Sequence, residues 1–549
     1  MSSSRNRFVL TSLALLTLAF LVGCGGSSTN SPVAPPSGQF TNTNFSGNYT
    51  FSVVGADANG FALAMAGTLD ACGCSAGTIS AGTVDVVDPS GDDPAATIGT
   101  PSSYNITKDG RGTARLFITS GGVALPEIDM DFVLTSSSHG LITRYDDSGS
   151  GSGTIDSQAS ATFGAGSYAF SMSGSDFLQN PLATAGAFTL DSNGNILNSG
   201  PTAGVEDFVY GFPSNTAFQG IALSGSVGTA SATLSSAFGT LGFDIYPVDA
   251  NHAKIIEADG QYILVGDIFT SSSPAIPNSN LVFTGAGIGS ADEPFATGGT
   301  VASDGSSQLS SGLQDVNDDG IVDGGGSTVS PSSFSGSFVE SPAGSGRFVL
   351  TMSNFFGGTL FAAYPSNAGI LFLETDTTAN AGVTSGVLLA QNSGAGIIAS
   401  QGYGMNLTGL DVLNGGLQLD EIAEFVTSST TAFSGGLVDV NDGGNLATSN
   451  FAGTISPNSN GTGSVILNNS QAIAGFFYYA ASTTSVPFLS SDSTIVGVGM
   501  LEGQTSPSSA SADVVSRHLA MMKAIPSTKK MAKTRKAHFA AGPALSKSK

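Results

Sequence analysis

A seven-residue pattern that the chain writes four times limits its fold more than any other feature. Tyr49-Thr-Phe-Ser-Val-Val-Gly55 returns as Tyr168-Ala-Phe-Ser-Met-Ser-Gly174, Leu281-Val-Phe-Thr-Gly-Ala-Gly287 and Tyr403-Gly-Met-Asn-Leu-Thr-Gly409. Large apolar residues mostly hold the first, third and fifth places, small or polar ones lie between, and glycine closes each copy. Period two is the signature of a half-buried strand, and the glycine marks the turn after it. The copies start 119, 113 and 122 residues apart (168−49, 281−168, 403−281). Self-similarity at that spacing predicts four tandem β units, over residues 44–158, 159–272, 273–391 and 392–504.

Seventy-four glycines and only 11% charged residues would suit a disordered chain, but 40% hydrophobic residues, with 34 Phe and 11 Tyr in alternating patterns, argue for folded β structure. Charge is divided unevenly. Residues 25–512 hold 40 acids and six bases (Lys108, Arg111, Arg115, Arg144, Lys254, Arg347), whereas the last 37 residues hold nine bases and one acid. So acidic a body repels nucleic acid, which excludes that class of partner for the units.

The first unit shows its strands most plainly. Alternation or β-branched content marks Tyr49–Val54, Phe61–Leu69, Thr78–Val87, a stretch near Thr97–Thr107, Arg111–Thr119, Glu127–Leu134, Leu141–Tyr145 and Gly153–Ser157. Eight short sequential strands predict an all-β fold of small up-and-down barrels, which lose their exposed edges by closing; two-sheet sandwiches are the alternative. A closed unit of this size can stand alone, so the units are expected to fold and melt with little coupling.

Landmarks keep the copies in register. Gly82-Thr-Val-Asp-Val-Val-Asp88 matches Gly312-Leu-Gln-Asp-Val-Asn-Asp318 and Gly436-Leu-Val-Asp-Val-Asn-Asp442, with no counterpart read in the second unit. His139 and His252 each precede an acid by seven residues (Asp146, Asp259), and the same step leads from Asn367 to Glu374 and from Ser485 to Asp492. Glutamine closes three units, at 158, 391 and 504. The Tyr-x-Phe opening, the Gly-x-x-Asp turn, the histidine strand and the closing glutamine together resemble the glycine-rich tandem-repeat lipoproteins found in many bacterial genomes. The resemblance spans about residues 44–504 and implies a repeated all-β exported protein with no assigned activity.

Chemistry-bearing positions are few. Asp315, Asn317, Asp319 and Asp323, with Gly320 between, copy the first nine places of a calcium loop, but Gly326 stands where a bidentate glutamate belongs. A recurring Asp/Asn turn also arises from side chains that bond their own backbone. Calcium is the one cofactor the sequence raises. Cys72 and Cys74 flank a single glycine and suit a local disulfide in an exported protein; with no nearby histidine they cannot complete a zinc site. His139 and His252 are replaced by Asn and Ser in the later units, which keeps hydrogen bonding and loses base chemistry, so strand-end bonding is expected of them.

The termini address the chain. Arg5 and Arg7 precede the apolar run Phe8–Val22, and Leu21-Val22-Gly23-Cys24 resembles the lipobox of bacterial lipoproteins. That resemblance implies a signal over 1–23 and diacylation of Cys24, with Gly25 favouring the outer membrane. Residues 24–43 read as a flexible Gly/Ser/Pro-rich tether. Residues 505–549 read as a basic tail, expected to be disordered, that could meet an anionic envelope polymer. The function expected is a monomeric, non-catalytic spacer or binding array anchored to the membrane by lipid. A hydrolase with one specialised repeat and a small-ligand-carrying barrel are the alternatives.

Overall fold

The computed structural model describes residues 40–159, 164–211, 216–322, 331–377, 382–468 and 473–505. Regular structure there is antiparallel strand, apart from one 3-10 turn at Asn42–Asn44. The strands form four units, Ser46–Ser157, Gly166–Thr270, Asn280–Ala390 and Gly402–Gly503. In each, eight strands run up and down, with a two-residue strand added in the first and third units (Val123–Ala124 and Ile321–Val322), and the last returns to pair with the first: Tyr49↔Ser157, Tyr168↔Thr270, Leu281↔Ala390 and Tyr403↔Gly503. The sheets therefore close as four barrels, and the sandwich alternative falls. Closure is what such short, strongly alternating strands gain most from, because no unpaired edge is left.

The opening motif builds the barrel interior. Tyr49, Phe51 and Val53 point inward with Leu63 and Met65 of the next strand. The central Phe lies opposite a glycine in three units: Phe51↔Gly67, Phe170↔Gly186 and Phe283↔Gly299. A Cβ on Gly186 would sit 2.4 Å from the Phe170 ring and one on Gly299 2.9 Å from Phe283. The fourth unit changes both partners at once, to Met405↔Ala423, a slimmer side chain over a larger floor. Side chains fill the interiors; the third barrel keeps a wholly apolar cavity of about 30 Å³ beside Phe283, Phe334 and Phe372. Phe40 is buried in the first barrel's core, and Asn42 Oδ1 accepts the Ile106 amide at 2.7 Å. The tether read as 24–43 thus gives way to the fold by Phe40.

The second strand of each of the first three units is buried on both faces over most of its length, and its outer face is apolar. Ala62, Ala64 and Ala66 point away from the first barrel and pack on Tyr246, Ile256, Ile263 and Val265 of the second. Ala183, Ala185 and Ala187 meet Ala362, Tyr364, Leu371 and Leu373 of the third, and Val282, Ala286 and Ala296 meet Leu489, Val496 and Val498 of the fourth. Ile422 of the fourth then packs on Val133 and Leu141 of the first. The barrels form a closed cycle, each packed on two neighbours.

One equivalent residue hooks each unit to the next. Gln158 Nε2 donates to Pro247 O (2.8 Å), Ser271 Oγ to Pro365 O (2.6 Å), Gln391 Nε2 to Ala480 O (2.9 Å), and Gln504 Nε2 returns to Leu134 O (3.2 Å). The expectation of weakly coupled units is therefore corrected. Closing a barrel removes its edges but not the apolar outer face of its second strand, and that face is buried only in the ring.

Candidate functional site

The polar groups that recur from unit to unit lie at the joints. Strand register makes Asp85, Asp207, Asp315 and Asp439 equivalent, opposite Ala66, Ala185, Gly298 and Ile422. The second unit therefore does carry the Gly-x-x-Asp landmark, as Gly204-Val-Glu-Asp207; only the residues after the aspartate differ. At three joints the aspartate accepts the hydroxyl of a tyrosine in the next unit: Tyr246 to Asp85 (2.6 Å), Tyr364 to Asp207, and Tyr479 to Asp315 (2.7 Å). Burial and the adjacent carboxylate both push the Tyr246 and Tyr364 hydroxyls upward, so they remain donors. Asp207 also holds Arg347 of the third unit through two bonds, at 2.6 and 2.7 Å. At the fourth joint Val133 stands in the tyrosine's place, and Asp439 accepts Thr448 of its own unit at 2.6 Å.

A chain of buried charges links the fourth, first and second units. His139 Nδ1 lies 2.5 Å from Asp156, and its Nε2 lies 2.9 Å from Glu502 in an ionic contact rather than an aligned hydrogen bond. Asp156 continues to Lys254 Nζ at 3.0 Å, and Lys254 lies 3.8 Å from Asp267, which pairs with His252 at 2.7 Å. Lys254 is fully enclosed and donates to Thr154 at 2.5 Å. Burial opposes the charge on His139, but Glu502 and Asp156 outweigh it and push its pKa up to about 10. Burial likewise opposes ionised Asp156, and Lys254 and His139 reverse that, holding it well below the usual carboxylate range. An imidazolium with both nitrogens facing carboxylates has no lone pair with which to take a substrate proton.

The histidines do not meet the acids seven residues on. His139 and Asp146 stand at opposite ends of one strand, and Asp259 lies just beyond the strand that His252 opens; Asp146 pairs with Arg144 at 2.9 Å and Asp259 accepts the Gly242 amide at 2.7 Å. In the third unit the acid that plays this part is Asp376, which accepts the Thr359 amide at 2.6 Å, and not Glu374. Glu374 instead takes the Gly382 amide at 2.9 Å, and burial pushes it up to about 8. Cys72 and Cys74 form a disulfide.

Of the residues matched to a calcium loop, Asp315 and Asn317 face the fourth unit. The Asn317 amide lies within hydrogen-bond distance of Ser490 O (3.1 Å), Asp492 O (2.9 Å) and Ile495 O (3.1 Å), clasping a hairpin. Asn441 grips the first unit in the same way, through Arg144 O, Asp146 O and Gly149 O. Asp319 turns the chain with φ +49°, and Asp323 lies outside the described residues, as do Cys24 and the basic tail. Among the described residues no group of three or more His, Cys, Asp or Glu is placed to hold a metal ion.

No protein-family model matches the chain, and no curated protein matches it in sequence. One solved structure that aligns is a point mutant of the vaccine antigen Transferrin Binding Protein B from Haemophilus parasuis Hp5. It is 8% identical over 69% of this chain and 86% of that one, with a TM-score of 0.15. That score is too low for the likeness to carry any inference about this chain. No helix among the described residues is long and apolar enough to cross a membrane.

Proposed function

We propose that this chain is an exported, lipid-anchored and non-catalytic ring of four barrels that serves as a rigid spacer or binding platform in the cell envelope. The observation that carries this reading is where the recurring polar residues go. The Gly-x-x-Asp aspartates, their tyrosines and the closing glutamines are taken up in joints, and His139 is enclosed between two carboxylates. The Cys24 signal supports the anchor, and Gly25 the outer membrane; the basic tail, residues 513–549, supports attraction to anionic envelope polymer. The filled interiors favour this reading over a ligand-carrying barrel, since a drug-sized ligand needs roughly 300 Å³ or more.

Metabolic labelling with a fatty-acid analogue tests the anchor. The parent should take up label and fractionate with membranes, whereas Cys24→Ala should be unlabelled and released. Acyl incorporation into Cys24→Ala overturns the assignment.

A further inference from the structure

We infer that the joint between the fourth and first units is a pH-sensitive latch, which holds the ring closed in acid and releases it as pH rises through neutrality. The other three joints are formed by units consecutive in the chain; this one joins its two ends and can part without disturbing the rest.

Its composition sets it apart at equivalent positions. The second strand presents Ala64, Ala183 and Ala296 at the first three joints, and Asp420 at the fourth; two residues on, Ala66, Ala185 and Gly298 give way to Ile422. Asp420 is fully enclosed between Ser150 Oγ of the first unit (2.6 Å) and Gln418. Glu424 is also buried, with one oxygen lacking any bond, and Asp131 of the first unit is buried beside Asp439 of the fourth.

The surrounding charge offers little relief. Arg111 is the base among these acids, and it is shared between Asp109 (3.0 Å) and Asp439 (4.0 Å). Asp129 is held by Arg115 at 2.8 Å, and Arg144 by Asp146 at 2.9 Å. Tyr145 bonds Thr448 at 3.1 Å. Burial pushes Asp420 up to about 7 and Glu424 and Asp131 up to about 8, with Asp439 adding to the rise on Asp131 and Asp109 to that on Glu424.

The sign follows. An open joint returns these acids to water, where they ionise near pH 4, so the closed form binds more protons between about pH 4 and 8 and loses stability as pH rises. His139 sits across the same joint, with Glu502 of the fourth unit at one nitrogen and Asp156 of its own unit at the other, so it keeps a carboxylate partner when the joint opens. Inside its window each group moves the closed-to-open ratio by up to about tenfold per pH unit.

Three equivalent amides report the joints separately: Ala159 N to Val248 O, Asn392 N to Ala481 O and Thr505 N to Thr135 O, each at 2.8 Å. Hydrogen exchange of the full chain, corrected for intrinsic chemistry, should show Thr505 losing at least about tenfold in protection from pH 6 to 9 while Ala159 and Asn392 hold. Two variants check the cause. Asp131→Asn with Asp420→Asn and Glu424→Gln should keep Thr505 protected at pH 9. A Cβ on Gly404 would lie 3.5 Å from the Val133 Cβ, within disulfide geometry. Oxidised Val133→Cys/Gly404→Cys should therefore lock the joint and restore protection at pH 9. Equal change at all three amides, no change at Thr505, or no rescue by the lock overturns the inference.

Discussion

Asp207 is the most exacting test of the ring. It is fully buried and takes Arg347 Nε at 2.6 Å, Arg347 Nη2 at 2.7 Å, the Tyr364 hydroxyl and the Gly220 amide at 2.8 Å. Arg347 and Tyr364 belong to the third unit and Asp207 to the second, so the cluster exists only while the two barrels stay docked. Asp207→Ala leaves a guanidinium, itself buried, without its counter-charge. Breaking a buried pair from one side costs about 3–5 kcal/mol, whereas replacing both members by apolar residues of similar size costs little or even stabilises. Asp207→Ala and Arg347→Met should each lower unfolding free energy by about 3–5 kcal/mol, and Asp207→Leu/Arg347→Met by less than about 2. Denaturant unfolding of the full chain provides the numbers, and limited proteolysis shows where stability is lost; both the second and the third unit should become cleavable together. Single substitutions costing under about 1 kcal/mol would mean that the pair is solvated and the joint does not form as described.

Two further outcomes follow from the same joints. The first unit cut out as Phe40–Gln158, so that its own core stays whole, exposes Ala62, Ala64, Ala66 and Val87 and should self-associate or melt below the full chain; a monomer as stable as the parent refutes the coupling. Chelation should leave the melting temperature of the full chain unchanged, because Asp315 and Asn317 are already engaged by Tyr479 and three carbonyls; a fall of several degrees that Asp315→Ala abolishes would restore calcium to that loop.

What could be read in advance was what lies within one unit. Alternation at Tyr49–Val54 or Glu127–Leu134 needs only neighbours in sequence, so strand number and the register of the copies were legible; closure was not, because barrel and sandwich differ in which distant strands pair. The joints were not, because their partners are far apart: Asp85 and Tyr246 are 161 residues apart, Asp315 and Tyr479 are 164. Asp207 stands outside the Asp-Val-Asn-Asp string, since the fold needs only the glycine and the aspartate three places later and tolerates Phe208 after it. The closing glutamines mark register in the sequence without disclosing their task, and Ser271, which does the same work, carries no such mark. One signal was present: Ala62–Ala66 is apolar at every position and Ala183–Ala187 at all but Thr184, whereas a strand with one wet face alternates.

A cycle joined by the same hook four times also counts its members. Four like joints return to their start only if each turns the chain through about a quarter of a circle, so Gln504 finds Leu134 for the same reason that Gln158 finds Pro247. An open solenoid can gain or lose a repeat and merely change length. Here a fifth or missing copy would leave the last glutamine without its carbonyl and the apolar second strand of one barrel in water. Duplication of a unit, the easiest change for a repetitive gene, would thus be opposed by the geometry of closure rather than by the stability of any single barrel.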